Sequence, residues 1–140
     1  MAKKRSRSGE VSSSLRLLAA TDLLHFIELN WFTADWNAFH LPAEELARLQ
    51  VVIMCDPKSA PVVKETHGLR KMRFSPLSWP RGKSGALRVM YVYFEKYFTV
   101  LLAVVYDKTA SDTLPKSAIA AINKAIDRIQ IGLAERFREG

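Results

Sequence analysis

A single cysteine, Cys55, is all the thiol chemistry this chain possesses. One sulfur closes no internal disulfide and builds no cysteine-based zinc cluster, so the expectation is a reduced, cytoplasmic protein without a metal. Histidine is scarce as well, and neither His25 nor His40 has a partner at metal-ligand spacing. Long hydrophobic runs are missing: no window approaches the roughly 18 apolar residues of a membrane span. The basic start, Met1-Ala2-Lys3-Lys4-Arg5, has the charge of a signal peptide. Glu10 and three serines follow where an apolar stretch belongs, which argues against secretion. Acids are in deficit, 14 against 21 lysines and arginines.

What is present is enough apolar material, 49% of 140 residues, for one core. The net charge of +7 is local. Between Lys64 and Lys96 eight basic residues face Glu65 and Glu95, a net of +6, and the first twenty residues add +4. The rest of the chain is therefore at −3. A polarised basic face concentrates polyanions, and nucleic acid is the default partner.

Residues 1–21 read as a basic, serine-rich, disordered tail, and residues 22–140 as one domain. His25 to Phe32 is a strand candidate, and Thr33 to Phe39 a short helix capped by Thr33. Leu41-Pro42-Ala43-Glu44-Glu45 opens a second helix, with Pro42 in the first turn and two acids where the dipole favours them. Its apolar stripe is Leu46, Leu49, Val52 and Ile53, and Asp56-Pro57 ends it. Strands follow at Leu69–Ser75, Ala86–Glu95 and Phe98–Tyr106, the last two as an antiparallel hairpin. After Asp112-Thr113-Leu114-Pro115, Ile119, Ile122, Ile126, Ile129 and Leu133 mark a helix at spacings of three and four. The order β-α-α-β-β-β-α predicts an α+β domain, an antiparallel sheet packed against helices.

The chemistry concentrates in Leu69-Arg70-Lys71-Met72-Arg73-Phe74. Alternation puts Lys71 and Arg73 on one strand face with Met72 and Phe74 on the other. Two cations side by side fit a phosphate. Arg81-Gly82-Lys83-Ser84-Gly85 is a basic loop able to approach a polyanion, Arg88 lies early on the next strand, and Lys108 follows the last one. RNA cleavage by its own 2′-OH needs a base, positive charge on the phosphorane and an acid for the leaving oxygen. Lys71 is the candidate base, since a lysine among cations exchanges protons more readily. Arg73 and Arg88 hold the phosphate, Arg70, Arg81 and Lys83 bind RNA, and Lys108 or Tyr106 is the candidate acid. The same residues also describe a solvated basic strand edge.

Other signals carry less. Gly82-Lys83-Ser84 resembles the end of a P-loop, but Leu77 stands where that motif needs glycine. His67 precedes the basic strand and is a weak acid candidate. Trp31, Trp36 and Phe39 fit a core better than a base-stacking surface.

Taken together, His67-Gly68-Leu69-Arg70-Lys71-Met72-Arg73-Phe74, then Arg81-Gly82-Lys83-Ser84-Gly85-Ala86-Leu87-Arg88-Val89-Met90-Tyr91, then Val104-Val105-Tyr106-Asp107-Lys108, resemble the RelE/ParE superfamily of toxin–antitoxin toxins, and within it the HigB-like branch. The resemblance spans about Phe26 to Leu133. It implies a microbial-ribonuclease-like fold and cleavage of messenger RNA in the ribosomal A site, with no metal or cofactor. It also implies a cognate antitoxin, often of helix-turn-helix type. Carried over by position, Lys71, Arg73 and Arg88 match the basic residues that line the family's RNA site, and Lys108 matches a basic position after the last core strand. Three positions depart from the pattern: Ala86 replaces a second loop glycine, His67 stands where glycine is expected, and no C-terminal tyrosine follows Lys108. Two alternatives share the fold: a ParE-like inhibitor of DNA gyrase, and an RNA- or ribosome-binding protein that cuts nothing.

Overall fold

Val, Tyr, Phe and Leu dominate the middle of the chain, and there the strands form. The computed structural model describes residues 23–79, 86–107 and 114–139. The expected tail at 1–21, Arg81, Lys83 and Lys108 lie outside the described residues. The elements are β1 (His25–Glu28), α1 (Asn30–Ala38), α2 (Ala43–Cys55), β2 (Leu69–Phe74), β3 (Leu87–Phe94), β4 (Thr99–Asp107) and α3 (Lys116–Glu139). A 3-10 turn at Glu95–Tyr97 joins β3 to β4, closed by Phe98 in the left-handed region at φ 50°. This is the expected α+β fold in the expected order.

The sheet runs β1-β4-β3-β2. β2, β3 and β4 pair antiparallel, whereas β1 pairs parallel to β4, so the sheet is mixed rather than wholly antiparallel. Everything from α1 to β3 lies between β1 and β4 in the chain. That is ample length for the crossover a parallel pair requires.

Both faces are covered. On one, Phe32 and Trp36 of α1 and Leu49 and Ile53 of α2 pack on Phe74, Leu87, Val89, Tyr91, Val100, Leu102 and Val105. On the other, Ile122, Ile126 and Leu133 of α3 pack on Leu69, Met90, Val92, Phe94, Leu101 and Val104. That explains why β4 is apolar on both sides. The α3 stripe is the one its isoleucine spacing predicts. Pro115 starts the helix, its carbonyl accepting the N–H groups of Ala118 and Ile119 at 3.1 Å. No helix among the described residues is long and apolar enough to cross a membrane.

Two local expectations change. The first strand stops at Glu28, and Trp31 and Phe32 belong to α1. Phe32 and Trp36, four apart, are its buried residues, and helical spacing overrides their strand propensity. Thr33 is therefore inside the helix, its hydroxyl donating to Glu28 Oε1 at 2.6 Å. In α2 the buried line is Glu45, Leu49 and Ile53, while Val52 is 42% exposed. A carboxylate occupies the place that an apolar stripe would give to leucine or valine.

Candidate functional site

Alternation along β2 holds: Leu69 faces α3 and Phe74 faces the α1–α2 core. Lys71 and Arg73 thus share the α3 side of the sheet. Strand pairing then does what the sequence alone does not. Arg73 lies directly opposite Arg88 on β3, and Arg88 directly opposite Tyr106 on β4. These three form one row across three strands. The adjacent row is Lys71, Met90 and Val104. Directly opposed residues bring their Cβ atoms to about 4.5–5.5 Å, so Arg73, Arg88 and Tyr106 are consecutive neighbours on this face, with Lys71 in the next row beside Arg73.

A bulge sets this register. Between Met90 and Tyr91 the β4 partner jumps from Val104 to Leu102, leaving Ala103 as an extra residue. The indole of Trp31 donates to the Ala103 carbonyl at 2.7 Å, so α1 anchors the bulge. Without it, Arg88 would face a different β4 residue.

The site is an open groove of about 460 Å³ lined by Pro61, Val62, Val63, Lys71, Met72, Arg73 and Arg88. Arg73 is exposed, Lys71 half-buried and Arg88 only 7% exposed. Like charges directly opposed on neighbouring strands are unfavourable in an ordinary sheet. β2 ends, β3 begins and β4 ends at this end of the sheet, at Phe74, Leu87 and Asp107.

Arg70 does not join the group. It lies on the opposite face, where Nη1 donates to the carbonyls of Lys58 (3.0 Å) and Ala60 (2.7 Å). Its cross-strand partner Tyr91 donates to Pro57 O at 2.8 Å. Burial pushes the Tyr91 phenol up from its ordinary value, and Asp56 adds to this against the opposing pull of Arg70. Together these two side chains tie the 57–60 segment to the sheet.

His67 also stands apart. Its Nδ1 is 2.8 Å from Asp127 Oδ1, and its N–H donates to Asn123 Oδ1 at 2.9 Å. Asn123 Nδ2 returns a bond to Glu65 O at 3.1 Å, so the turn before β2 is fastened to α3. Gly68 permits that turn through its φ of +101°. Among the described residues no group of three or more His, Cys, Asp or Glu is placed to hold a metal ion.

A supporting pair was not legible in the sequence. Arg48 lies over the Phe74 ring at 4.4 Å from its centroid and donates to Ser75 O at 2.6 Å. It also pairs with Glu45, 5% exposed, at 3.2 Å. The second Glu45 oxygen accepts the Ser78 N–H at 2.9 Å. Glu45 and Arg48 therefore fix the chain as it leaves β2 beside Arg73. An i, i+3 pair on a helix is too common to signal this.

No known family profile matches the sequence. Among solved structures the chain is similar to a double arginine-to-alanine mutant of the E. coli toxin RelE in the free state, at 16% identity and a TM-score of 0.46, over 64% of this chain and 87% of that one.

Proposed function

We propose that this protein is the toxin of a type II toxin–antitoxin system, an endoribonuclease that cuts messenger RNA held by the ribosome. The observation that carries the reading is the row Arg73–Arg88–Tyr106 with Lys71 beside it on the same face. The RelE/HigB-like motifs of the sequence agree with it. A gyrase inhibitor has no need of such a phosphate-sized cluster.

In this reading Lys71 takes the proton of the 2′-OH, whose oxygen attacks the adjacent phosphorus. Arg73 and Arg88 donate to the non-bridging oxygens as negative charge gathers on them. The P–O5′ bond breaks, and Tyr106 or Lys108 protonates the departing oxygen. The products are a 2′,3′-cyclic phosphate and a free 5′-hydroxyl, with every proton accounted for and no metal in the scheme. Arg81 and Lys83 add charge along the RNA, while Arg70 serves the site by bracing β2. The partners are messenger RNA, the ribosome and a cognate antitoxin, of helix-turn-helix type on the resemblance, that covers the basic face.

The test is a reconstituted bacterial translation reaction with primer extension, comparing wild type with Lys71→Ala/Arg73→Ala. Codon-phased cuts that vanish without ribosomes and in the double variant are expected. Intact messenger at high wild-type concentration would overturn the reading, and gyrase inhibition and plain RNA binding would then be measured.

A further inference from the structure

The groove has a second wall that phosphate chemistry does not use. Pro61–Val63 runs antiparallel along the outer edge of β2, where Val62 bridges Arg70. The Val63 N–H donates to Leu69 O at 2.8 Å and the Lys71 N–H to Pro61 O at 3.1 Å. Opposed residues on antiparallel strands share a face. Pro61 accordingly shares the face of Lys71, and Val63 that of Leu69, while Val62 turns with Arg70 to the other side. Pro61 is exposed, while Val63 is partly buried against the α3-side core. A short, rigid, apolar ledge thus borders a cationic floor.

A bare polyanion would need only the floor. A ledge of this kind suits a ligand that is anionic at one point and flat and apolar at the next, which describes a nucleotide in a single strand. The scale agrees. Pro61 lies one strand, about 4.8 Å, and two residues, about 7 Å, from Arg73, and the groove volume is that of a small-molecule site. Resting on the ribonuclease reading above, we propose that Pro61 is a nucleobase platform. With the scissile phosphate on Arg73 and Arg88, the base of a flanking nucleotide lies on the Pro61 ring beside Lys71. The proline ring loses little freedom on binding, and its fixed backbone keeps the carbonyl in place for Lys71 N–H. A base held there would fix the reacting nucleotide relative to Lys71, which loose phosphate contacts alone do not.

The experiment is fluorescence anisotropy with the full chain and two labelled six-nucleotide strands. One is 2′-O-methyl RNA, which cannot be cut; the other has the same backbone without bases. Wild type should bind the base-bearing strand about three- to tenfold more tightly. Pro61→Ala should bring that ratio near one, and Pro61→Tyr, with a larger flat surface, should raise it. Arg73→Ala should weaken both strands alike. Equal binding of the two strands by wild type overturns the platform while leaving the ribonuclease reading intact. So does a ratio that neither Pro61 variant changes. Failure of both strands to bind overturns the platform, while the ribonuclease reading, which needs the ribosome, is decided separately by the translation reaction.

Discussion

Arg73 on β2 and Arg88 on β3 are direct cross-strand partners on one face of the sheet, the first exposed and the second buried. Like charges directly opposed weaken a sheet.

Arg73→Ala should therefore separate stability from activity. Removing the exposed member of the pair is expected to leave the thermal midpoint unchanged or to raise stability by up to about 1 kcal/mol. Cleavage in the translation reaction should fall by at least about a hundredfold. Parallel melting and primer-extension curves check both; a large loss of stability would give Arg73 a structural role instead.

Tyr106→Phe asks whether the third member of the row supplies the leaving-group proton. A drop of about a hundredfold in cleavage with unchanged binding of uncut RNA is expected. A substrate with sulfur in place of the 5′-bridging oxygen needs no acid, so the variant should cut it at the wild-type rate. If the sulfur substrate shows the same deficit, the acid is elsewhere, with Lys108 next.

Glu45→Ala leaves the Arg48 guanidinium half-buried without its carboxylate and the Ser78 N–H without its acceptor. A loss of about 3 kcal/mol in urea unfolding is expected. Arg48→Lys keeps the charge but loses the planar contact over Phe74, and should fall between wild type and Glu45→Ala. Equal stability of all three proteins would remove Glu45 and Arg48 as supports of the site.

The buried Tyr91 phenol makes a prediction at alkaline pH. Folding raises its pKa above the ordinary value of 10.0, so the native state holds the proton more tightly than the unfolded chain. That stability is complete below about pH 10 and is lost as pH rises through the raised value. Tyr91→Phe should lose about 1 kcal/mol at neutral pH with the bond to Pro57 O, and show a flatter decline above pH 10. Unfolding curves at pH 7 to 11 would show the two lines converging; parallel lines would contradict the burial argument.

Local pattern carried much of this protein. The alternation of β2 placed Lys71 and Arg73 together, the isoleucine spacing laid out α3, and the short Lys96-Tyr97 link made a hairpin of β3 and β4. Each signal repeats within a few residues, so it survives without knowledge of the partner. Trp31 and Phe32 were the exception, because an aromatic run reads as strand until the spacing of four between Phe32 and Trp36 is weighed.

The remainder depended on residues far apart in sequence. Whether Arg88 meets Arg73, and Tyr106 meets Arg88, is decided by register and by a bulge at Ala103 that Trp31 holds from another element. Arg70 and Lys71 are neighbours with like charge, yet pairing sends one to brace the 57–60 segment and the other to the groove. The parallel pairing of β1 and the burial of Glu45 rest on packing across the whole domain. Side-chain periodicity is a property of the strand itself and is written in the sequence; which strand stands beside it, and at what offset, is settled only when both faces of the sheet are buried at once.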